Sequence, residues 1–369
     1  MTDTFAARCQ PGRFNNFDAL RLLLALSVIY GHSYALTQGN LEAEAIYRFT
    51  HGLFYSGTFA VAFFFLISGF LITGSWLKSP TLLAYCEKRF LRIAPGYIAA
   101  VLFSVLVVAT LTSGVGAYQG RLLLQSAVIA PMNSLRIFPN NPYPRYLNGS
   151  LWTIRYEVLC YGLVALLGLA KLISRRGAVL AVTILLILTA AVDTKMPFLD
   201  RLPAGFGMSN IAMFYLACFG VGMVFYLHAG RIPYSPWNAG LCVVLMTVVC
   251  HGEHREAISI LLFPFPLGYV LFYIAFSSFR IPAWKGVDLS YGTYVYAFVA
   301  QQFLAWRGVR NIGLMLGLAI AITIPLAICS WFLVERPALR LKRRIAKPAP
   351  AKDLEAAGTV AHTAGPFPG

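Results

Sequence analysis

The chain has 369 residues, of which 58% are hydrophobic and only 12% charged. A soluble domain carries roughly twice that share of charge, which excludes a water-soluble globular class and leaves an integral membrane protein. The formal charge of +16 fits cytoplasmic loops anchored against anionic lipid better than it fits nucleic-acid binding.

Sixteen largely polar residues precede the first apolar run, so no cleavable signal is expected. Asn16-Phe17-Asp18-Ala19-Leu20-Arg21 then opens a membrane helix that also carries His32. At 100° per residue, the step from Arg21 to His32 brings both onto one face, about 20° apart and about 16 Å along the axis. That is about half the hydrocarbon thickness. Ionisable groups at such depth are expensive, which makes this face a candidate functional site. Asp18 lies on the same face and is expected to pair with Arg21.

Ten apolar segments follow a membrane-spanning pattern: 17–36, 53–75, 94–113, 149–170, 177–193, 208–229, 236–252, 257–278, 289–306 and 310–334. The expected architecture is an all-α bundle of about ten transmembrane helices. Loops on the side of the termini hold Lys78, Lys88, Arg89, Arg92, Arg175, Arg176, Arg280 and the tail cations from Arg336 onward. They carry roughly twice the cations of the opposite loops, so both termini are expected in the cytoplasm. Residues 1–16 form an N-terminal tail and 17–345 the membrane domain, while 346–369 has too little apolar surface to fold alone.

Along the chain, Ser68-Gly69 places small residues in the second span, a pattern of close helix packing; Ser68 is also kept as a donor-binding candidate. Arg89 and Arg92 are three apart and neighbours on a helix, suited either to gripping a phosphate or to anchoring at the cytoplasmic face. Pro95 suits the first turn of the third span. In the longest connection, Leu122–Ala130 reads as a short re-entrant or interfacial helix. The run Asn133 to Asn148 is rich in Asn, Pro and Tyr, residues of loops that also suit contact with a sugar. Glu157 falls inside the membrane without a local partner and needs one elsewhere, either His32 or a polar substrate. Asp288 and Ser290 are candidate N-caps for the ninth span. Gly313 and Gly317 again fit either packing or chemistry. His51, His228, His251 and His254 lie near loops and helix ends, where solvated surface is the default. The seven cysteines show neither metal-ligand nor disulfide spacing.

The Arg-x10-His arrangement of Arg21 and His32 resembles the signature of the membrane-bound acyltransferase-3 family. The likeness continues through Phe63-Phe64-Phe65-Leu66-Ile67-Ser68-Gly69-Phe70, Arg89-x-x-Arg92, Leu151-Trp152-Thr153 with Glu157, Leu289-Ser290-Tyr291-Gly292 and Val334-Glu335-Arg336-Pro337 after the last span. It covers residues 14–345 in the family's order. The resemblance implies a ten-helix core in a bacterial inner membrane. It implies acyl-CoA, commonly acetyl-CoA, as a cytoplasmic donor substrate and a hydroxyl of an extracytoplasmic glycan or lipid-linked saccharide as acceptor. The catalytic candidates are then His32, as general base or transient acyl acceptor, Arg21 and Glu157; Arg89, Arg92 and Ser68 are the donor-binding candidates. Two departures stand out. Many relatives carry a histidine where this chain reads Tyr296-Ala297-Phe298, and no hydrolase-like domain is expected after the core. A secondary transporter or flippase of a polar or glycan substrate is the competing class, since buried charges along a cavity also serve transport.

Overall fold

The computed structural model describes residues 3–9, 15–79, 81–113, 116, 118–197, 199, 209–282 and 286–345; the tail 346–369 lies outside them. In chain order the helices are α1 (Phe5–Arg8), α2 (Phe17–Gln38), α3 (Ala45–Phe49), α4 (Ser56–Leu77) and α5 (Leu82–Leu102). A π-helical turn, Phe103–Ala109, leads into α6 (Thr110–Ser113), followed by α7 (Tyr118–Ala127). Two short strands, β1 (Met132–Asn133) and β2 (Tyr146–Asn148), pair antiparallel. Then come α8 (Trp152–Leu169), α9 (Arg176–Asp193), α10 (Asn210–His228), α11 (Pro236–His251), α12 (Arg255–Leu262), α13 (Pro264–Ala275), α14 (Ser290–Trp306) and α15 (Ile312–Ser330). A second π-helical turn, Trp331–Glu335, joins α15 to α16 (Arg336–Ile345).

Seven helical runs are long and apolar enough to cross a bilayer: Phe17–Gln38, Ser56–Leu77, Leu82–Thr112, Gly149–Leu169, Arg176–Asp193, Asn210–His228 and Ile312–Leu341. Taken as one span, α12 and α13 make an eighth, bent by 49°. Pro264 and Pro266 at the start of α13 account for the break, because neither supplies the N–H that a continuous helix needs. The other two expected spans are α11 and α14, of 16 and 17 residues. At 1.5 Å per residue they reach about 24 and 26 Å, short of a ~30 Å hydrocarbon layer. The third span also starts earlier than its apolar run. Thr81 caps it by accepting from the Ala84 N–H at 3.1 Å, so Arg89, Arg92 and Pro95 all fall inside α5. Part of the N-terminal tail is held down as well. Phe5 is buried in a cage formed by the rings of Phe225, Tyr234, Tyr269 and Phe276.

The centre of the bundle is α10, whose residues from Ala212 to Leu227 are all buried. Its sequence is apolar on every side, the pattern of a fully enclosed helix. It crosses α4 at the two glycines Gly69 and Gly222. A Cβ on Gly69 would lie 2.0 Å from the Phe219 carbonyl oxygen, and one on Gly222 2.2 Å from that of Leu66. Only residues without side chains allow this backbone approach. Gly317, by contrast, faces open space. Exposed apolar side chains such as Trp237, Leu241 and Val248 on α11 and Leu185 on α9 form the surface that lipid covers. The chain is an integral membrane protein. Gly69→Val or Gly222→Val is expected to force α4 and α10 apart and to cost at least the ~1–3 kcal/mol of ordinary overpacking. Thermal-shift size-exclusion in detergent should show early loss of the monodisperse peak for both variants and none for Gly317→Val; equal behaviour of all three would contradict the crossing.

Candidate active site

Three segments far apart in sequence meet at one carboxylate. Asp288 precedes α14, and its Oδ1 accepts from the backbone N–H of Ser290 at 3.1 Å and from the Ser290 hydroxyl at 2.5 Å. This short-range turn is the local habit of an Asp-x-Ser sequence, and it aims the second oxygen away from the helix. Oδ2 accepts from Arg21 Nη1 at 2.6 Å and from Arg92 Nη2 at 2.5 Å. The turn is held by Leu289, which packs with Ala327 and Trp331, and by Gly292, where a Cβ would lie 2.9 Å from the Ala327 Cα. Burial alone would raise the Asp288 pKa, but Arg21, Arg92 and Ser290 hold it well below the usual carboxylate range. The clamp is therefore present above the ordinary carboxylate pKa of about 3.9 and is lost only as pH falls through the depressed value.

Arg21 thus takes a different partner from the expected one. Asp18 sits exposed at the first turn of α2, whereas Asp288 reaches the guanidinium from a side shielded by α5 and α15. Arg89 and Arg92 likewise divide their work. Arg92 joins the clamp and lies over the Tyr291 ring. Arg89 Nη2 donates to Ser75 Oγ at 3.1 Å, and its guanidinium lies over the rings of Tyr85 and Tyr161. Among the described residues no carboxylate lies within ion-pair distance of Arg89, and its Nε is buried without a hydrogen-bond partner. A guanidinium has five donor N–H groups in a fixed fork, so Arg89 retains capacity for an anion.

Glu157 is tied to its own helix and to α4. Its Oε1 accepts from Tyr161 Oη at 2.5 Å and from Ser68 Oγ at 3.5 Å, the latter at the edge of hydrogen-bond range. Arg21, Arg89, Arg92, Ser68, Glu157, Tyr161 and Tyr291 line one cavity of about 220 Å³ among α2, α4, α5, α8, α14 and α16. Its walls carry Arg21, Lys88, Arg89 and Arg92 against the single carboxylate of Glu157, with Ser68, Thr153, Tyr161, Tyr291 and Tyr294 as neutral polar groups and Phe64, Ile67, Leu71 and Ile93 as apolar wall. Positive charge in excess beside an apolar slot suits a ligand with an anionic head and a slender neutral arm.

His32 stands apart. It is not in the wall of this cavity, and Glu157 bonds to Tyr161 and Ser68 rather than to the imidazole. The imidazole lies between Tyr55, at 6.5 Å between ring centres, and Phe298, at 5.2 Å edge to face. Its Nδ1 is buried with no hydrogen-bond partner among the described residues. Tyr294, in the cavity wall, precedes Phe298 by one turn of α14, about 5–6 Å. The imidazole thus lies beyond the cavity wall, against Phe298, one helical turn from the wall residue Tyr294.

Sequence reasoning read Asp288 only as a cap, since its two arginine partners are distant in the chain. It also placed Glu335 after the last span, whereas Glu335 ends the π-helical turn inside the run from Ile312 to Leu341. Glu335 is 2% exposed and accepts from Ser330 Oγ at 2.9 Å, while its Oε2 has no hydrogen-bond partner. The bare Gly96 makes room for it and for Tyr291. π-Bulges inside helices are frequent at functional sites.

The acyltransferase domain of the acyltransferase-3 type matches residues 14–335. The chain is 27% identical over 341 residues to the O-acetyl transferase of Shigella phage Sf6, covering 87% of this chain and 95% of that protein. It is 29% identical over 367 residues to nodulation protein 10 of Rhizobium leguminosarum bv. viciae, covering 90% of this chain and 95% of the relative. No solved structure matches. With its membrane helices and a polar cavity among them, the chain belongs to the acyltransferase-3 family and is a membrane O-acyltransferase.

Proposed function

We propose that the protein moves an acyl group, acetyl by default, from acyl-CoA to a hydroxyl of an extracytoplasmic glycan or lipid-linked saccharide. The observation that carries this reading is the cationic cavity: four cations on its walls against one carboxylate, beside apolar side chains. The donor's phosphates bind at Arg89, whose fork has free N–H groups, beside the positive edge made by Arg21 and Arg92. Glu157 and Ser68 then meet the amides of the donor's arm, and the thioester comes to rest near Thr153 and Tyr294, one turn of α14 from Phe298, which packs on His32. His32 takes the acceptor hydroxyl proton as the oxygen attacks the thioester carbon. The C–O bond forms, the C–S bond breaks, and the proton passes to the departing thiolate. Transient acylation of the imidazole is the variant of the same scheme, with the hydroxyl attacking in a second step.

The excess of cations near the Arg21 end supports a cytoplasmic entrance for the donor, with both termini on that side in a bacterial inner membrane. Counting α11, α14 and the bent α12–α13 pair as traversals gives ten crossings, an even number consistent with that orientation.

General-base catalysis is typically worth about 10²–10⁴ in rate. Purified His32→Ala is expected to retain the thermal profile of the parent and to lose acyl transfer by that order; near-parental turnover would remove His32 from the chemistry. Arg89→Ala and Asp288→Asn should differ in kind. The first is expected to raise the KM for acyl-CoA with little change in thermal stability. The second leaves two guanidiniums without their carboxylate and should destabilise the fold by an amount between the ~1 kcal/mol of an exposed pair and the ~3–5 kcal/mol of a buried one. Donor titrations and denaturation of both variants check this, and an unchanged donor KM in Arg89→Ala would return that residue to membrane anchoring.

A further inference from the structure

His32 is outside the wall of the donor cavity, so its partner for proton transfer must reach it from another side. That side is built from aromatic rings. Phe298, buried, stands edge-on to the imidazole, and Tyr143 lies 6.2 Å beyond Phe298 at an interplanar angle of 77°. Tyr146 lies 5.4 Å from Tyr143, the two planes inclined by only 33°. Tyr143 is 39% exposed. A single ring therefore separates the imidazole from a pair of half-open tyrosines. They sit at the end of α2 opposite Arg21: Gly39, which follows α2, would place a Cβ 3.2 Å from the Pro142 carbonyl oxygen.

Both tyrosines are held in place, Tyr146 as the first residue of β2 and Tyr143 in the loop before it. Gln302 of α14 is fully buried, and its Nε2 donates to the carbonyls of Tyr143 at 2.7 Å and Tyr146 at 2.9 Å. Its side-chain oxygen accepts from Asn141 Nδ2 at 2.8 Å. Asn148 Nδ2 donates to the Val295 carbonyl at 2.8 Å, closing the loop onto the same helix. A buried carboxamide with both ends satisfied is a rigid fixture. The helix that carries Phe298 thus also sets the position of the two rings above it.

We propose that Tyr143 and Tyr146 form the acceptor platform, on which a pyranose ring stacks so that one of its hydroxyls is directed past Phe298 to His32. The C–H bonds on the flat face of a pyranose carry small positive charge and meet the negative face of an aromatic ring, while the phenol groups remain free to hydrogen-bond. This assignment rests on the reading of His32 as the base of acyl transfer and adds where the sugar lies. Donor and acceptor then approach the imidazole from opposite ends of the bundle, the donor past Tyr294 and the acceptor past Phe298.

The test uses the full chain purified in detergent, with acetyl-CoA as donor and the methyl pyranosides of glucose, galactose, mannose and rhamnose as acceptor probes. Tyr143→Leu and Tyr146→Leu keep apolar bulk over Phe298 but remove the ring, while Tyr143→Phe and Tyr146→Phe keep it. Each leucine variant is expected to raise the acceptor KM about three- to tenfold with the acetyl-CoA KM unchanged, and the phenylalanine variants to stay near the parent. Leucine variants with a parental acceptor KM would overturn the platform and make the tyrosines an interfacial anchor; so would an equal rise in both KM values. Parent protein that acetylates glycerol but none of the pyranosides would overturn the platform and leave acyl transfer standing. Failure to turn over acetyl-CoA with any hydroxyl acceptor would overturn both.

Discussion

One oxygen atom organises the polar interior of this protein. Oδ2 of Asp288 accepts from guanidiniums on α2 and α5, so three elements that the chain visits at its beginning, its first third and near its end are fixed to a common point. In a medium of low dielectric an unpaired charge is costly and a paired one is held firmly. Arg21 and Arg92 are thereby placed without being fully neutralised, since two cations share a single anion. Arg89, three residues from Arg92 on the same helix, is left to tyrosine rings and a serine hydroxyl. The outcome is a positive site whose structural charges are secured and whose remaining donor capacity faces a cavity.

In the proposed scheme two approaches to one imidazole are separate. On one side lies the cationic slot bounded by Arg21, Arg89, Ser68, Glu157 and Tyr294. On the other lie Phe298, Tyr143 and Tyr146. α14 serves both, with Tyr294 facing the slot, Phe298 against His32 and Gln302 fastening the outer loop. Placing these functions at successive turns of one helix fixes their spacing at about 5–6 Å per step. The rings of Tyr55 and Phe298 stand beside the imidazole.

Much of this was legible in the sequence, for identifiable reasons. Composition alone dictates the membrane class, and each apolar run contains a helix. Helical periodicity predicts Arg21 and His32 on one face; in the structure Arg21, Ser68, Arg89, Arg92 and Glu157 line one cavity, whereas His32 is outside its wall. What could not be read involved contacts between distant segments. Asp288 looks like a helix cap because the local turn with Ser290 is real, and its second oxygen has partners 196 and 267 residues away. The Asp18–Arg21 pair is reasonable on a helix considered alone, but it yields to a more shielded carboxylate arriving from another element. Glu157 had a partner within reach of helical spacing, Tyr161 four residues on, yet an acid in an apolar run draws attention to distant bases first. The central position of α10 is visible in its unbroken apolarity, although only its crossing with α4 shows why Gly69 and Gly222 lack side chains.

In the proposed reaction the cavity at the Arg21 end receives the donor with its phosphates on Arg89 and its acyl end toward His32. A cryo-electron microscopy map of the protein in nanodiscs with a non-hydrolysable acetyl-CoA thioether tests this most directly. The account predicts density running from the guanidinium of Arg89 between Ser68 and Glu157 to Thr153 and Tyr294, with Asp288 still bridging Arg21 and Arg92. Density for the thioether at any other surface, with this cavity unchanged, would contradict it.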